Sequence, residues 1–445
     1  MQIYFTQLAD AVCALPAPGG GDVGIDRILL NFSAEQSDFI RFNHARVRQA
    51  TQVDQRFATV SVVAGLRRAD GSLSLSGDLH RDTALLLAER ATLIAQLPFI
   101  PEDPYLLLPE VVQDTERTEE GRLPNAVSVI EAVAAHAGDA DFVGFYAGGG
   151  VQRAFADSRG QRNWHSVRSF NFEWCIYQAA DKAVKAAYAG TEWRDEELAA
   201  RIRDSAVRSA LLAQPARVLS PGAYRVYFSP VAVADLLGTL SWGGFGLKAV
   251  RTGVSSLVLM HRDGLRLNAQ VDLTEATATG TAPRFQGDGF VKPDTVPLVR
   301  AGHVADTLVS PRSAREYGMP TNAGAGESPE ALALQPGDLP AAEVLQRLGT
   351  GVWISNLHYL NYSDRQACRV TGMTRFACWW VEDGRLVAPI QVMRFDDSLL
   401  RMFGEGLVAL TDEAELVPDA ATYSARQLGS VTAPGAIVDG FCLTL

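Results

Sequence analysis

Helical periodicity in this chain of 445 residues is confined to a few segments, and the remainder alternates short β-type runs with glycine and proline turns. A helical apolar period covers residues 82–96, a long charged helix is predicted at 195–213, and prolines follow them at Pro98 and Pro215. Short runs rich in β-branched and aromatic residues surround these helices. This mixture predicts an α+β fold, with an N-terminal mixed α/β domain of antiparallel sheets and packed helices and a mostly antiparallel C-terminal β domain forming a curved sheet.

The first half of the chain contains a series of predicted strands and turns. Besides a helix at 130–136, we predict strands at 28–32, 39–42, 47–53, 58–64, 72–76, 142–147, 151–157 and 164–177. The first turn-rich break covers 16–21, and Asp70-Gly71 predicts a hairpin turn. Gly148–Gly150 follows a strand, as a phosphate-binding loop would, but another strand comes next instead of a helix. A tight hairpin turn is therefore the preferred interpretation of the triglycine.

A change of pattern after the second long helix predicts the main domain boundary. Pro215 and Pro221-Gly222 lie between residues 214 and 224, so we predict domains at 1–218 and 219–445. The second begins with a strand at 225–228 and a helix capped by Ser229 with Pro230 at its first position. Residues 318–340 are rich in glycine, proline and alanine and predict a long loop.

Composition excludes several classes of protein. Hydrophobic residues make up 47% of the chain and charged residues 20%, which is typical of a globular protein. The net charge of −11 argues against a nucleic-acid-binding surface. Neither a signal peptide nor an apolar run long enough to span a membrane is found. The five scattered cysteines predict reduced, mostly buried thiols, and hence a cytoplasmic protein.

Local motifs for catalysis are scarce. The chain has no HExxH, CxxC or GxSxG motif and no two histidines within five residues of each other. The nearest group of potential metal ligands is His358 with Cys368 and Cys378, which we interpret as a satisfied or exposed histidine and two core thiols. Trp379-Trp380 predicts one buried and one half-exposed strand aromatic. The residues by themselves thus indicate a two-domain protein without an evident active site.

Several segments nevertheless resemble the TldD/PmbA family, in the family's own order. Phe-Gln-Gly-Asp-Gly at 285–289, for example, stands where the family has Phe-Asp-Asp-Glu-Gly, and the strand-Pro-helix unit at 227–230 resembles the start of the family's C-terminal domain. The other similar segments are 39–49, 298–304, 313–323, 352–358 and 372–389. Their shared order identifies the chain as a member of this family.

The resemblance also shows a departure at the family's metal motif. TldD-type subunits carry HExxxH on the helix after the strand-Pro turn, which supplies two zinc ligands and a glutamate base. Counted from Pro230, these positions are Gly238, Thr239 and Gly243, and the family's further cysteine ligand falls near Ser424. Glycine cannot ligate a metal and threonine cannot act as a carboxylate base, so we expect no metal or other cofactor in this chain.

This pattern resembles PmbA-like (TldE-like) chains, which pair with a zinc-bearing TldD-like chain. The resemblance implies a non-catalytic subunit of a heterodimeric zinc metalloprotease that trims unfolded or leader peptides. It implies that the two C-terminal sheets enclose a shared cavity and that an exposed strand edge binds the extended peptide. We expect no nucleic-acid or membrane partner, and a homodimer is possible in isolation.

Two alternatives and a set of site residues accompany this interpretation. The chain could instead be a stand-alone homodimeric scaffold that binds a peptide or another ligand without protease activity. A weaker alternative is a residual enzyme that uses His261, His303 or His358. The candidate peptide- or partner-binding residues are Asn43, Arg46, Asp288, Asn356 and His358, for which turn or strand-end hydrogen bonding is the competing interpretation. No catalytic residue is assigned to this chain.

Overall fold

Two β-sheets with helices packed on them form the protein, which confirms the α+β class. The structure is a computed structural model that describes residues 1–15, 24–179 and 182–445. The turn predicted at 16–21 lies outside the described residues. The first sheet uses strands between Arg27 and Gly190, and the second uses strands between Gly222 and Leu443. The proposed boundary at 218 falls between the two sets and stays a prediction.

The first sheet has seven strands in the order β3-β2-β1-β5-β6-β4, with β7 also paired to β6. The strands are β1 (Arg27–Asn43), β2 (Arg46–Ala64), β3 (Arg67–Ser74), β4 (Thr115–Glu119), β5 (Asp141–Asp157), β6 (Arg162–Ala179) and β7 (Lys182–Gly190). The helices of this part are α1 (Gln2–Val12), α2 (Leu79–Gln96), α3 (Ala126–Ala137) and α4 (Asp195–Leu211). The predicted helices at 82–96, 130–136 and 195–213 are confirmed, whereas α1, β4 and β7 were not predicted.

The first sheet presents two different faces because side chains alternate along each strand. Even-numbered residues of β1, such as Ile28 and Ile40, are buried in the apolar clusters formed with the four helices. Odd-numbered residues of β1 and their cross-strand partners point to the other side. There, Asn31 donates a hydrogen bond to the backbone of Gly287 (2.8 Å). We call this side the cleft face, because it turns toward the second sheet.

Several strands predicted as separate pieces are continuous. Predicted strands 28–32 and 39–42 are both parts of β1, and 47–53 and 58–64 are both parts of β2. The prediction of a hairpin turn at Gly148–Gly150 was wrong, because these glycines lie in the middle of β5. Gly149 is paired with Ser37 on one side and Ser169 on the other. A Cβ atom at Gly149 would come within 2.1 Å of the Gln36 carbonyl oxygen, so glycine allows the close approach of β1.

The hairpin predicted at Asp70-Gly71 was also wrong in position. The chain turns earlier, at Gly65-Leu66, where Gly65 has φ +59°. Asp70 and Gly71 lie inside β3, opposite Ser61 and Val60. Asp70 accepts a hydrogen bond from the Ser61 hydroxyl (2.5 Å), so cross-strand pairing satisfies the side chain that suggested a turn.

The second sheet has thirteen strands, with the central order β12-β20-β8-β13-β16. The strands are β8 (Gly222–Phe228), β9 (Leu273–Glu275), β10 (Val296–Arg300), β11 (His303–Val304), β12 (Ala331–Leu334), β13 (Gly351–Ile354), β14 (His358–Asp364), β15 (Arg369–Met373), β16 (Cys378–Glu382), β17 (Arg385–Pro389), β18 (Arg394–Ser398), β19 (Leu407–Pro418) and β20 (Ser430–Leu443). The helices are α5 (Pro230–Leu240), α6 (Leu247–Arg251), α7 (Val258–Asp263), α8 (Pro311–Tyr317), α9 (Val344–Leu348) and α10 (Leu399–Met402). Most pairs are antiparallel, while β12 with β20 and β8 with β13 are parallel.

Two predictions for the second sheet need correction. The predicted loop at 318–340 contains β12, whose four residues are bonded to β9 on one side and to β20 on the other. Its short length and the glycines on either side made this strand hard to recognise in the sequence, although its Ala-Leu sequence suits a position buried between two neighbours.

The prediction of one buried and one half-exposed tryptophan at 379–380 was wrong. Trp379 and Trp380 are both buried, at 1% and 9% exposure, because Trp379 packs toward α4 while Trp380 joins the core of the second sheet.

All five cysteines are free, and Cys13, Cys368 and Cys378 are buried. Burial raises the pKa of the Cys378 thiol to about 12. This environment fits the prediction of inert core thiols. In the part of the chain that the structure describes, no helix combines the length and apolar character needed to cross a bilayer.

Candidate functional site

Helix α5 carries the positions of the family's metal motif, and its local structure follows from its sequence. The Ser229 hydroxyl accepts a hydrogen bond from the backbone N–H of Ala232 (3.2 Å), and Pro230 occupies the first turn, as predicted. One side of α5, including Leu236 and Leu237, is buried in the core of the second sheet. The opposite side is only partly buried. It carries Val231, Asp235 and Gly238, spaced by four and three residues, so they share one helical face.

The three motif positions lie in different environments. A Cβ atom at Gly238 would meet nothing within 4 Å, so this position opens onto space. Thr239 is buried, and its hydroxyl donates to the backbone carbonyl of Leu236 (2.6 Å). Gly243 lies beyond the end of α5 at Leu240 and has φ +87°, which favours glycine.

Ser424, which falls near the family's cysteine position, is bonded to the first sheet and not to α5. Its carbonyl oxygen accepts a hydrogen bond from the Gln55 side chain on β2 (2.6 Å). The neighbouring Arg426 donates to the carbonyl oxygens of Gly149 and Ser169 on the cleft face (3.2 and 2.8 Å). The residues at these positions therefore do not fit a zinc ion. Within the described ranges, no group of three or more His, Cys, Asp or Glu side chains is arranged to hold a metal.

Strand register places two of the predicted site residues in one row across the first sheet. Asn43 on β1 is paired with Arg46 on β2 and with Val143 on β5. Val143 is paired with Cys175 on β6, and Cys175 with Lys185 on β7. With strands about 4.8 Å apart, this row extends for about 14 Å from Asn43 to Lys185.

A second row lies next to it on the cleft face. Arg41 on β1 is paired with Phe145 on β5, and Phe145 with Glu173 on β6. Glu173 forms an ion pair with Lys185 of the first row (3.2 Å). Together the rows line an open cavity of about 550 Å³. Its floor is partly apolar, and charged side chains stand at both ends.

The other side of the cleft comes from α5 and the segment after β13. In the amide orientation that satisfies its surroundings, Asn356 donates to the backbone carbonyl of Lys185 (3.2 Å). Burial raises the pKa of Asp235 on α5 to about 6, while the ammonium of Lys185 and the backbone N–H of Leu357 act against this rise. Burial alone would lower the pKa of Lys185, but the Glu173 carboxylate and Asp235 raise it, so the amine stays protonated.

His358 on β14 lies near this side of the cleft, where the charge of Lys185 reaches it, but it lines neither cavity. Its Nε2 lies 3.1 Å from a guanidinium nitrogen of Arg375. Burial and the charges of Arg375 and Lys185 lower the pKa of His358, which keeps the ring neutral near pH 7. A second cavity of about 520 Å³ shares Glu173 and Lys185 with the first and is lined by Asn356 and the start of α5.

The structure thus places Asn43 and Asn356 in the linings of two cavities that share Glu173 and Lys185. Arg46 is paired with Asn43 at the edge of the first cavity, His358 lines neither cavity, and Asp288 is separated from all of them. Asp288 forms an ion pair with Arg68 on β3 (2.5 Å). The two other histidines considered are also elsewhere. His261 is on α7 and His303 on β11, and neither lines the two cavities described.

Three charged residues of the cleft were not predicted from the sequence. Glu173 and Lys185 belong to neighbouring strands, and β7 has an alanine-rich sequence with no strong strand pattern. Asp235 could have been recognised in the sequence as a candidate site residue, because it is the single ionisable residue in the mostly apolar helix α5.

The fold and the cleft define a class of protein. A two-sheet α+β chain whose second sheet begins with a strand, a Ser-Pro cap and an apolar helix has the architecture of the TldD/PmbA proteins. The family model described as PmbA/TldA metallopeptidase C-terminal domain matches residues 221–444, about half of the chain. The chain belongs to this metallopeptidase family, which confirms the resemblance found in the sequence.

Solved structures agree with this fold along nearly the whole chain. TldE from Thermococcus kodakarensis superimposes with a TM-score of 0.76 at 9% identity, covering 94% of this chain and 97% of that one. A proposed modulator of DNA gyrase from Thermotoga maritima gives 0.75 at 14% identity, with coverage of 94% and 96%. A similar protein from Bacteroides thetaiotaomicron gives 0.71 at 15% identity, with coverage of 99% and 98%. At these identities the likeness concerns the fold. No curated protein sequence matches this chain.

Proposed function

We propose that this chain is a non-catalytic, TldE-like subunit of a heterodimeric zinc metalloprotease that degrades or trims unfolded or leader peptides. A TldD-like partner would carry the zinc ion and the general base. The main observation behind this proposal is that the motif positions at and after α5 carry no side chain able to bind zinc or act as the general base. Gly238 and Gly243 have no ligating side chain, and the Thr239 hydroxyl is bonded to its own helix.

The cleft supports a role in holding a peptide. It joins the open side of α5 to a broad sheet surface, and its walls carry hydrogen-bonding side chains at both ends, such as Asn43 and Lys185. An extended peptide exposes a backbone N–H and C=O at every residue, so polar walls of this kind can bind it with little dependence on sequence. A cytoplasmic location is part of the proposal, and the free thiols support it.

Co-expression with an HExxxH-bearing homologue from the same genome tests the proposal. We expect a heterodimer by native mass spectrometry, one zinc ion per complex by elemental analysis, and cleavage of an unfolded peptide only when both chains are present. The partner alone and a complex with the partner's motif glutamate changed to glutamine are the controls. Stoichiometric zinc and peptide cleavage in this chain alone would overturn the proposal. A persistent homodimer in the presence of the partner would instead favour a stand-alone binding scaffold.

A further inference from the structure

Two arginines at one end of the first cavity have no acidic partner, although the protein carries a net charge of −11. Arg41 and Arg48 both line this cavity. Among the residues that the structure describes, no carboxylate lies within 4.0 Å of either guanidinium group, whereas Arg27 and Arg68 on the same face are each paired with an aspartate. The cavity therefore has a locally positive end in an acidic protein.

A β-bulge directs these side chains to the same place. The register of β1 and β2 shifts between Arg41 and Phe42, so that Gln49 pairs with Arg41 while Val47 pairs with Phe42. The extra residue, Arg48, breaks the alternation of β2, and both Arg48 and Gln49 line the cavity. Bulges often redirect a side chain in this way at binding sites. A regular strand would have turned Arg48 to the helical face.

The floor next to the arginines is apolar. Phe145 and Val143 line the cavity, and Phe39 stacks beside Phe145 with 6.0 Å between ring centroids. The Arg41 guanidinium lies over the Phe145 ring, with its carbon 5.4 Å from the centroid. This cation–π contact holds the guanidinium group in place and leaves its N–H edges available.

The acidic group closest along the row cannot neutralise these arginines. Glu173 is in the same row as Arg41 but two strands away, about 10 Å between Cα atoms. Its carboxylate is engaged by Lys185 (3.2 Å). Two guanidinium groups above an apolar floor are complementary to a ligand in which a carboxylate lies next to an apolar side chain.

We infer that Arg41 and Arg48 form an anchor for a carboxylate of the bound peptide, with an adjacent apolar side chain resting on Val143 and Phe145. The carboxylate can belong to an internal Asp or Glu or to the C-terminus of the peptide. This inference rests on the proposed peptide-binding function and adds a preference for acidic peptides to it.

Fluorescence anisotropy with three labelled peptides tests the anchor. The first is a short Gly/Ser peptide with a central Phe-Glu pair and an amidated C-terminus. The second has Gln in place of Glu, and the third is the Gln peptide with a free C-terminal carboxylate. We expect the first peptide to bind roughly tenfold more tightly than the second at low salt, and the difference to shrink as salt increases. Tight binding of the third peptide would assign the anchor to the C-terminal carboxylate.

The double variant Arg41→Gln/Arg48→Gln should bind the acidic and neutral peptides equally. Arg203→Gln, which removes from α4 an exposed arginine that forms no ion pair with any residue the structure describes, is the matched control and should retain the preference. Both variants change exposed side chains, so circular dichroism should show an unaltered fold. Equal binding of all three peptides by the unmodified chain, or no binding at millimolar peptide, overturns the anchor, as does a preference that survives the double variant.

A separate measurement shows whether a negative result disproves only the carboxylate anchor or also the proposed peptidase function. Cleavage of the acidic and neutral peptides by the complex with the TldD-like partner reports on the peptidase itself. If the complex cleaves both at equal rates, the proposed function stands and the anchor is wrong. If the complex cleaves neither and contains no zinc, the proposed function fails as well.

Discussion

Arg68 on β3 and Asp288 in the turn at 285–289 form an ion pair at 2.5 Å that joins the first sheet to the second part of the chain. Both side chains are mostly buried, at 23% and 22% exposure. Two further hydrogen bonds hold the same turn, from Asn31 to the carbonyl of Gly287 (2.8 Å) and from Gln161 to that of Gly289 (2.6 Å). Asp288 therefore acts in this structure as a connection between the two sheets.

Removing this charge should destabilise the protein. We expect Asp288→Asn to lower the free energy of unfolding by about 1–3 kcal/mol, because the partly buried Arg68 would lose one of its two carboxylate partners and keep only Asp70. Chemical denaturation measures the effect. Asp263→Asn, which breaks the fully exposed pair with Arg262, should leave the free energy of unfolding nearly unchanged. Equal effects of the two substitutions would contradict the structural role of Asp288.

The two glycines of the degenerate metal motif should respond in opposite ways to alanine. Gly238 is inside α5 with open space around it, so Gly238→Ala should stabilise the protein by about 0.5–1 kcal/mol through helix propensity. Gly243 has φ +87°, so Gly243→Ala should destabilise it by about 1 kcal/mol. Thermal unfolding of the two variants side by side measures the difference. Stabilisation by both would mean that α5 extends beyond Leu240 in solution.

Tyr359 adopts φ +60° and exposes 80% of its surface. A left-handed backbone is unfavourable for tyrosine, so Tyr359→Gly should raise the free energy of unfolding by about 1 kcal/mol. Tyr423→Gly is the control, because Tyr423 is 91% exposed but not in the left-handed region. It should be neutral or slightly destabilising. A loss of stability in Tyr359→Gly would show that the exposed ring makes stabilising contacts.

The partly buried carboxyl group of Asp235 should make stability depend on pH. Its pKa rises from 3.8 to about 6 on folding, mainly through burial and against the opposing charge of Lys185. Between these two values the folded state binds more protons than the unfolded state, so stability should fall as pH rises through this window. Asp235→Asn removes this partly buried charge, and we expect it to raise the free energy of unfolding at pH 7 by roughly 1–3 kcal/mol.

Urea denaturation of the two proteins at a series of pH values from 4 to 7 measures this effect. The difference in stability between Asp235→Asn and the unmodified chain should grow as pH rises and then level off. Asp204→Asn, which alters an exposed carboxylate paired with Arg208 on α4, is the control. It should change stability by less than about 1 kcal/mol. A constant difference across the series would place the pKa of Asp235 outside this window.

Local sequence patterns predicted much of the fold. The helices α2, α3 and α4 followed from local sequence patterns, clearest in the apolar period of α2, and the Ser229-Pro230 start of α5 followed from capping chemistry. Strand boundaries were less predictable. Gly148–Gly150 and Asp70-Gly71 have turn-like sequences, but pairing on neighbouring strands keeps both in extended conformation. Pairing partners far away in sequence decide such cases, and a local pattern does not contain them.

The candidate site, like the fold, was predictable from the sequence in part and depended on long-range contacts for the rest. The sequence by itself determined that the motif positions on α5 carry Gly238, Thr239 and Gly243, because residue identity is enough to exclude ligation by glycine. Only the tertiary structure decided that Lys185, Asp235 and Asn356 meet in one cleft, while Asp288 pairs with Arg68 elsewhere. Strand register in the first sheet and the packing of α5 on the second sheet create these contacts, and both depend on interactions between segments that are distant in the chain.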